Sequence, residues 1–283
     1  MPSVLGHEKI TEDLRRLAGK GELSHGYIFC GPAMVGKRTA ALALARFLEK
    51  DEFASPTEGE VLQDAKVIDP GEGNSIGIDA VREIKNFLWQ KPNVSKKRTL
   101  IIDEAELLTT EAQNALLKIT EEPPVSSLLI IVTSDVESLM GTMRSRLQKI
   151  YFGSVPAADI AKWLVKDHAV AAPRAKELAA KALGKPGLAW KLAYDENFKK
   201  NIALAEQFLR TTSASRKEFL KKLLEPDEFN LRDFLDALIM NLAWEKPSKS
   251  KAALWHKTLG LYRDVSNFSL NPRLQLENLL ITQ

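Results

Sequence analysis

The sequence predicts an α/β domain built on a parallel sheet, followed by all-helical domains. Three observations predict it. Short apolar runs alternate with amphipathic helical patterns through the first half, as strands joined by crossover helices do. One such run, YIFC at 27–30, ends in a glycine turn that opens directly into an Ala- and Leu-rich helical pattern. From Val155 onward the β pattern stops, and Ala-, Leu- and Lys-rich helical patterns take over.

Taken in order, the helix after YIFC is expected over 37–50, and AKVID at 65–69 reads as a second strand. IDAVREIKNFLW at 78–89 reads as a helix with Ile78, Val81, Ile84 and Leu88 on one face. TLIID at 99–103 is a buried strand; Thr110 then precedes a helix over 111–120 that Pro123-Pro124 stops. SLLIIVT at 127–133 is another buried strand, and QKIYF at 148–152 a fifth. The segment 51–63, rich in Glu, Ser, Pro and Thr, reads as an exposed loop. Gly184, Pro186-Gly187, Pro226 and Pro247 break the helical half. No repeat of fixed period and no low-complexity tract occurs. Expected domains are 1–152, 153–197 and 198–283.

Composition narrows the class. A chain of 283 residues with 45% hydrophobic and 27% charged residues has the make-up of an ordinary globular protein of two or three domains. No apolar run reaches the roughly 20 residues needed to span a bilayer. The opening MPSVLGHEKITEDL lacks the apolar stretch of a secretory signal, so a reducing cytoplasm is the expected location. The lone Cys30 excludes an internal disulfide and a multi-cysteine zinc site. A net charge of +3, from 40 basic and 37 acidic residues, does not by itself announce a nucleic-acid binder. Lys96-Lys97-Arg98 and the stretch 246–251 read mainly as solvated turns. His7, His25, His168 and His256 have no metal-ligand or triad spacing. Trp89, Trp163, Trp190, Trp244 and Trp255 read as packing residues rather than base-stacking platforms.

Gly31-Pro32-Ala33-Met34-Val35-Gly36-Lys37 lies between a strand and a helix and matches the phosphate-loop pattern G-x-x-x-x-G-K. Its glycines let the backbone turn several N–H groups toward phosphate oxygens, the helix N-terminus adds positive potential, and Lys37 neutralises terminal phosphates. The next position should be Ser or Thr, whose hydroxyl is a Mg²⁺ ligand. Here it is Arg38, a cation with no oxygen to offer. Thr39 is one step on and points about 100° away around the helix. Metal-assisted hydrolysis is therefore disfavoured, while ATP or ADP can still be held by Lys37 and the backbone. A loop that binds nothing and a loop that still hydrolyses remain alternatives.

Downstream, the apolar strand LIID ends in Asp103-Glu104, the type of acidic pair that in P-loop ATPases orients Mg²⁺ waters and polarises the attacking water. The run DEAELLTTEAQNALLKITEEPP at 103–124, with LLIIVTS and MRSRLQ after it, resembles the clamp-loader branch of the AAA+ ATPases. So do LGHEKI at 5–10, the SHGYIFCGP approach to the loop and the IDAVREI helix; NPRLQLENLL at 271–280 resembles the end of the family's helical collar. The resemblance runs through nearly the whole chain and is weakest between about 195 and 265.

That resemblance implies an AAA+ parallel-sheet P-loop domain, a small helical lid and a helical collar. It implies a ring with other clamp-loader subunits (γ/τ-like ATPases and a δ-like subunit) that opens a sliding clamp and places it on primed DNA. Ser145-Arg146 matches the motif whose arginine reaches a neighbour's ATP, with Leu147 where that motif has cysteine. Thr133 or Ser134 falls at the first sensor position, and the second-sensor segment GKPGLAWKL carries Lys185 and Lys191 but no arginine. A disrupted metal position, a missing sensor arginine and a retained Arg146 together match the δ′ type, a non-hydrolysing neighbour. An active γ/τ-like subunit using Thr39 or water as ligand is the alternative, with Asp103-Glu104 intact in its favour. A small-molecule P-loop kinase leaves the EAQNALLKITEEPP run unexplained. The four-cysteine zinc module frequent in bacterial subunits of this type is missing, so no zinc is expected.

Overall fold

The computed structural model describes residues 4–57, 59–70, 75–211, 215–224, 229–245, 249–267, 271, 274–276 and 279. Its contacts divide the chain into two units, Met1–Ala189 and Trp190–Gln283.

The first unit opens with α1 (Glu8–Lys20), then alternates β1 (Gly26–Cys30), α2 (Lys37–Lys50), β2 (Ala65–Ile68), α3 (Ile78–Trp89), β3 (Arg98–Ile102), α4 (Thr110–Glu121) and β4 (Ser127–Thr133). A short α5 (Gly141–Arg144) leads into β5 (Gln148–Tyr151). All five strands are parallel, in the order β2-β3-β4-β1-β5. Strands buried on both faces read as unbroken apolar runs, and β1, β3 and β4 are buried along their whole length. Alternation within them divides the core. Ile28, Leu100, Ile102 and Leu129 face a cluster completed by Val81, Ile84 and Leu88 of α3 and Leu116 of α4. Tyr27, Phe29, Ile101 and Ile130 face Leu14 of α1 and Ala40, Ala41 and Leu44 of α2.

Helices α6 (Ala157–His168), α7 (Ala172–Lys181) and α8 (Pro186–Tyr194) follow the sheet. Residues 153–189 belong to the first unit, and the division between units falls inside α8. The second unit contains α9 (Glu196–Arg210), α10 (Arg216–Leu223), α11 (Leu231–Trp244) and α12 (Lys249–Asn267). They pack around Phe208, Phe234, Leu235 and Leu238, joined by Leu276 and Leu279. Of NPRLQLENLL, residues 272–273, 277–278 and 280 lie outside the described residues, as do 246–248 of the basic stretch 246–251, Pro226 and Pro247.

Several local expectations are corrected. Thr109, not Thr110, caps α4, its hydroxyl accepting the Ala112 N–H at 3.2 Å. The loop 51–63 is not simply exposed: Ala54 and Leu62 are buried, and Phe53 packs on the core beside Phe47. Glu60 anchors that loop by pairing with Arg46 and Lys50 and accepting from Thr57 N–H. Lys96-Lys97-Arg98 is no solvated turn. Arg98 is buried, stacks over the Phe87 ring and faces the buried carboxylate of Asp64 at 3.6 Å. Lys97 donates to the Ser127 carbonyl, which leaves only Lys96 exposed. Among the tryptophans, Trp89 and Trp190 are exposed rather than packed inside.

Candidate functional site

The phosphate loop leaves the end of β1, an interior strand between β4 and β5, and enters α2. Gly31 has φ 135°, and a Cβ there would lie 2.1 Å from the Phe152 carbonyl, so neither its backbone angle nor its surroundings admit a side chain. Gly36 ends the loop at φ 109°. His7 braces the loop. Its Nε2 lies 3.1 Å from the Val35 carbonyl, which can only accept, so the ring proton sits on Nε2. Burial lowers the pKa of this ring, which packs edge-on against Phe152. The N-terminus of α8 also meets the loop, with Gly187 N–H donating to the Met34 carbonyl at 3.0 Å. A Cβ on Gly187 would come within 3.1 Å of Met34.

The Lys37 ammonium is buried and donates to the Gly31 and Pro32 carbonyls, each at 2.6 Å. Burial lowers its pKa; Glu106 and Asp103 oppose that shift, and Lys185 adds to it. Lys185 of the second-sensor segment is thus electrostatically part of this site. Lys191 instead lies over the Phe198 ring of the second unit.

Arg38 extends from the first turn of α2 to two carboxylates. Its guanidinium forks onto both oxygens of Asp69, with Nη2 to Oδ2 at 3.1 Å, and Nη1 also donates to Asp103 Oδ2 at 2.9 Å. The other oxygen of Asp103 accepts the Glu104 N–H at 3.0 Å. The parallel register explains the convergence. Ile68 pairs with Ile102, so the residues that follow them, Asp69 and Asp103, leave the sheet side by side. Thr39 is half-buried, and its carbonyl accepts from Ser55 Oγ at 3.3 Å. Glu104 has left-handed backbone, φ 46°.

These donors do not fit a divalent cation. Mg²⁺ requires oxygen ligands in near-octahedral array. Position 38 supplies none, and its guanidinium already lies on the carboxylates of Asp69 and Asp103, where it repels a second cation. The loop backbone, the α2 N-terminus and Lys37 do fit the phosphates of a nucleotide.

At the end of β4, the buried Thr133 hydroxyl lies 2.8 Å from Glu106 Oε2, and Ser134 bonds the same carboxylate through its backbone N–H and its hydroxyl. Sequence reasoning missed Glu106, His7 and Asp69 as site residues. For Asp69 the signal was its place at the end of a strand, readable only once β2 and β3 are known to be neighbours.

Arg146 lies elsewhere. It precedes β5, at the edge of the sheet where strands begin, whereas the loop lies at the edge where they end. Its guanidinium is exposed, pairs with Glu121 at 3.0 Å and donates to the Thr142 carbonyl at 2.6 Å. Leu147 beside it is buried in the core, so the segment is anchored by the leucine while the arginine faces outward. Arg82, Lys85, Asn114 and Lys118 are exposed on α3 and α4, with Arg82 paired to Asp79 and Lys85 over the Trp89 ring.

A glycine loop on an interior strand, a buried lysine opening the next helix and acids on two adjoining strand ends define a P-loop domain of the AAA+ class. The chain belongs to the family described as DNA polymerase III, delta subunit, whose model matches residues 6–156, and it is a member of the clamp-loader AAA+ family. It is 33% identical over 164 residues to the DNA polymerase III subunit gamma/tau of Mycobacterium tuberculosis, a match covering 54% of this chain and 28% of that protein. To the DNA polymerase III subunit delta′ of Escherichia coli it is 30% identical over 133 residues, covering 47% of this chain and 40% of that one. These matches span well under half the length of either relative. A gamma subunit-related protein of Thermotoga maritima shares the fold, with a TM-score of 0.64 at 24% identity over 96% of this chain and 97% of that one. Among the described residues, no helix is long and apolar enough to cross a membrane.

Proposed function

We propose that the chain is a δ′-like, non-hydrolysing subunit of the clamp loader of the replicative DNA polymerase. In this role it organises a ring with γ/τ-like ATPases and a δ-like subunit, and it donates Arg146 to a neighbour's ATP. The assembly loads a sliding clamp onto primed DNA. Residues 153–197 act as the lid and 198–283 as the ring-forming collar. The observation that carries the reading is Arg38 engaged with Asp69 and Asp103 where a hydrolysing site needs a metal ligand. Gly31, Gly36, Lys37 and the loop backbone would hold the phosphates of ATP or ADP, with Thr133 at the sensor position and Asp103-Glu104 vestigial. When bound, the nucleotide supplies only its negative charge; Lys37 balances it and the loop orients it.

A second reading, a working γ/τ-like ATPase, draws support from the 33% identity to a gamma/tau subunit. Steady-state phosphate release by the isolated chain with Mg²⁺ separates the two. The δ′-like reading expects background turnover, unchanged by Lys37→Ala. Turnover that disappears in Lys37→Ala selects the motor reading instead. Retention of the chain by its ring partners on co-purification tests the clamp-loader assignment itself.

A further inference from the structure

A P-loop that hydrolyses nucleotide neutralises its acidic strand ends with a divalent cation; this chain neutralises them with a side chain. Asp69 and Asp103 lie side by side because β2 and β3 are parallel and in register, Ile68 opposite Ile102. Two carboxylates brought together repel unless a cation lies between them. Arg38 provides that cation from the first turn of α2, forked on Asp69 and reaching Asp103 at 2.9 Å. Asp103 is the less exposed of the two acids, its side chain 14% accessible against 46% for Asp69. The arginine thus reaches both the inner and the outer member of the pair.

We propose that Arg38 is the resident cation of this site: it balances Asp69 and Asp103, keeps a divalent metal out, and leaves the loop to take nucleotide in its metal-free form. A guanidinium stays protonated at every accessible pH, so this counter-charge is permanent. With Lys37 buried in the loop and Lys185 close to it, the site offers cations to the more highly charged, metal-free nucleoside di- or triphosphate. Metal-free binding rests on the nucleotide-holding reading above, whereas exclusion of metal rests on the arginine alone.

The test uses the full chain with Mn²⁺ as probe, read by water proton relaxation, with and without saturating ADP. Wild type is expected to match Asp103→Asn, with no specific Mn²⁺ bound. Arg38→Thr is expected to gain a Mn²⁺ site that the added Asp103→Asn change abolishes. Arg38→Gln serves if Arg38→Thr fails to fold. Calorimetric titration with ADP gives the second arm: wild type binds equally in EDTA and in Mg²⁺, while Arg38→Thr tightens about tenfold or more on adding Mg²⁺. Asp103-dependent Mn²⁺ binding by wild type, or no gain by the Arg38 variants, overturns the resident cation. If no form of the chain binds ADP in either buffer, the nucleotide-holding reading and metal-free binding fall together. The Mn²⁺ arm then still decides the role of Arg38.

Discussion

Arg38 and Arg146 occupy opposite edges of one sheet and are almost equally accessible, with side chains 45% and 37% exposed. Accessibility therefore does not distinguish them; their counter-charges do. Arg38 is gripped by two carboxylates on neighbouring strand ends, three hydrogen bonds in all. Arg146 has one carboxylate, Glu121, itself half exposed, and one carbonyl, that of Thr142. An exposed single pair is worth about 0–1 kcal/mol, little enough to be exchanged for a phosphate on a neighbouring molecule. The same side chain thus has two carboxylate partners in one place and one in the other, among the described residues, because of what the strand ends bring together.

The largest expected effect tests the more lightly held arginine. On the proposed role, Arg146→Ala should leave the chain folded and able to join a ring, while ATP hydrolysis at the neighbouring interface falls by about 10³–10⁵. Single-turnover hydrolysis by the reconstituted complex measures this. A normal rate in a normally assembled complex would break the comparison, as would a variant too unstable to assemble.

Arg98, a third arginine, sets the scale for a fully locked one. It is buried against Asp64, whose carboxylate accepts the backbone N–H groups of Asn93, Val94 and Ser95. Asp64→Ala leaves that guanidinium buried without a carboxylate, with only the Lys91 carbonyl to accept from it, and should destabilise the first unit by about 3–5 kcal/mol in denaturant unfolding. A loss under about 1 kcal/mol would place Arg98 with the exposed pairs instead. The same group predicts a pH dependence. Burial by itself raises the Asp64 pKa, but the Asn93, Ser95 and Val94 amides and the Arg98 charge more than offset it, so the folded value lies below the usual one. A depressed carboxylate contributes stability above its unfolded pKa, and that contribution is lost as pH falls through the folded value. The melting temperature of wild type should therefore drop below about pH 4, and that of Asp64→Asn should drop less. Identical acid limbs would show that Asp64 is not the group responsible.

The smallest effect is the most direct comparison of the two edges. Glu121→Gln removes the carboxylate partner that Arg146 has among the described residues and should change stability by no more than about 1 kcal/mol, read from thermal melts. A larger loss would mean that Arg146 is held as firmly as Arg38.

Much of the fold was legible because the signals were local. The strand 127–133 and the helices over 37–50 and 78–89 fall where their apolar patterns and breakers place them. The cap of α4 was displaced by one residue, since Thr109 and Thr110 are chemically equivalent candidates and only backbone geometry chooses between them. Lys96-Lys97-Arg98 was misread because composition sees three charges. The structure turns one into the core beside Asp64 and a second onto a strand carbonyl.

At the site, the sequence by itself determined which groups are present: the glycine loop, Lys37, the missing hydroxyl at position 38, Asp103-Glu104 and Arg146. Those follow from residue type and spacing along the chain. It could not say that Arg38 answers to Asp69, 31 positions away, or that His7 braces the loop at Val35 and Glu106 occupies Thr133. Such contacts depend on which elements pack together and, for Asp69, on which strands are neighbours and on their register. The vacancy at position 38 was written in the sequence; that the arginine there takes up the charge of two strand ends was decided only by the tertiary structure.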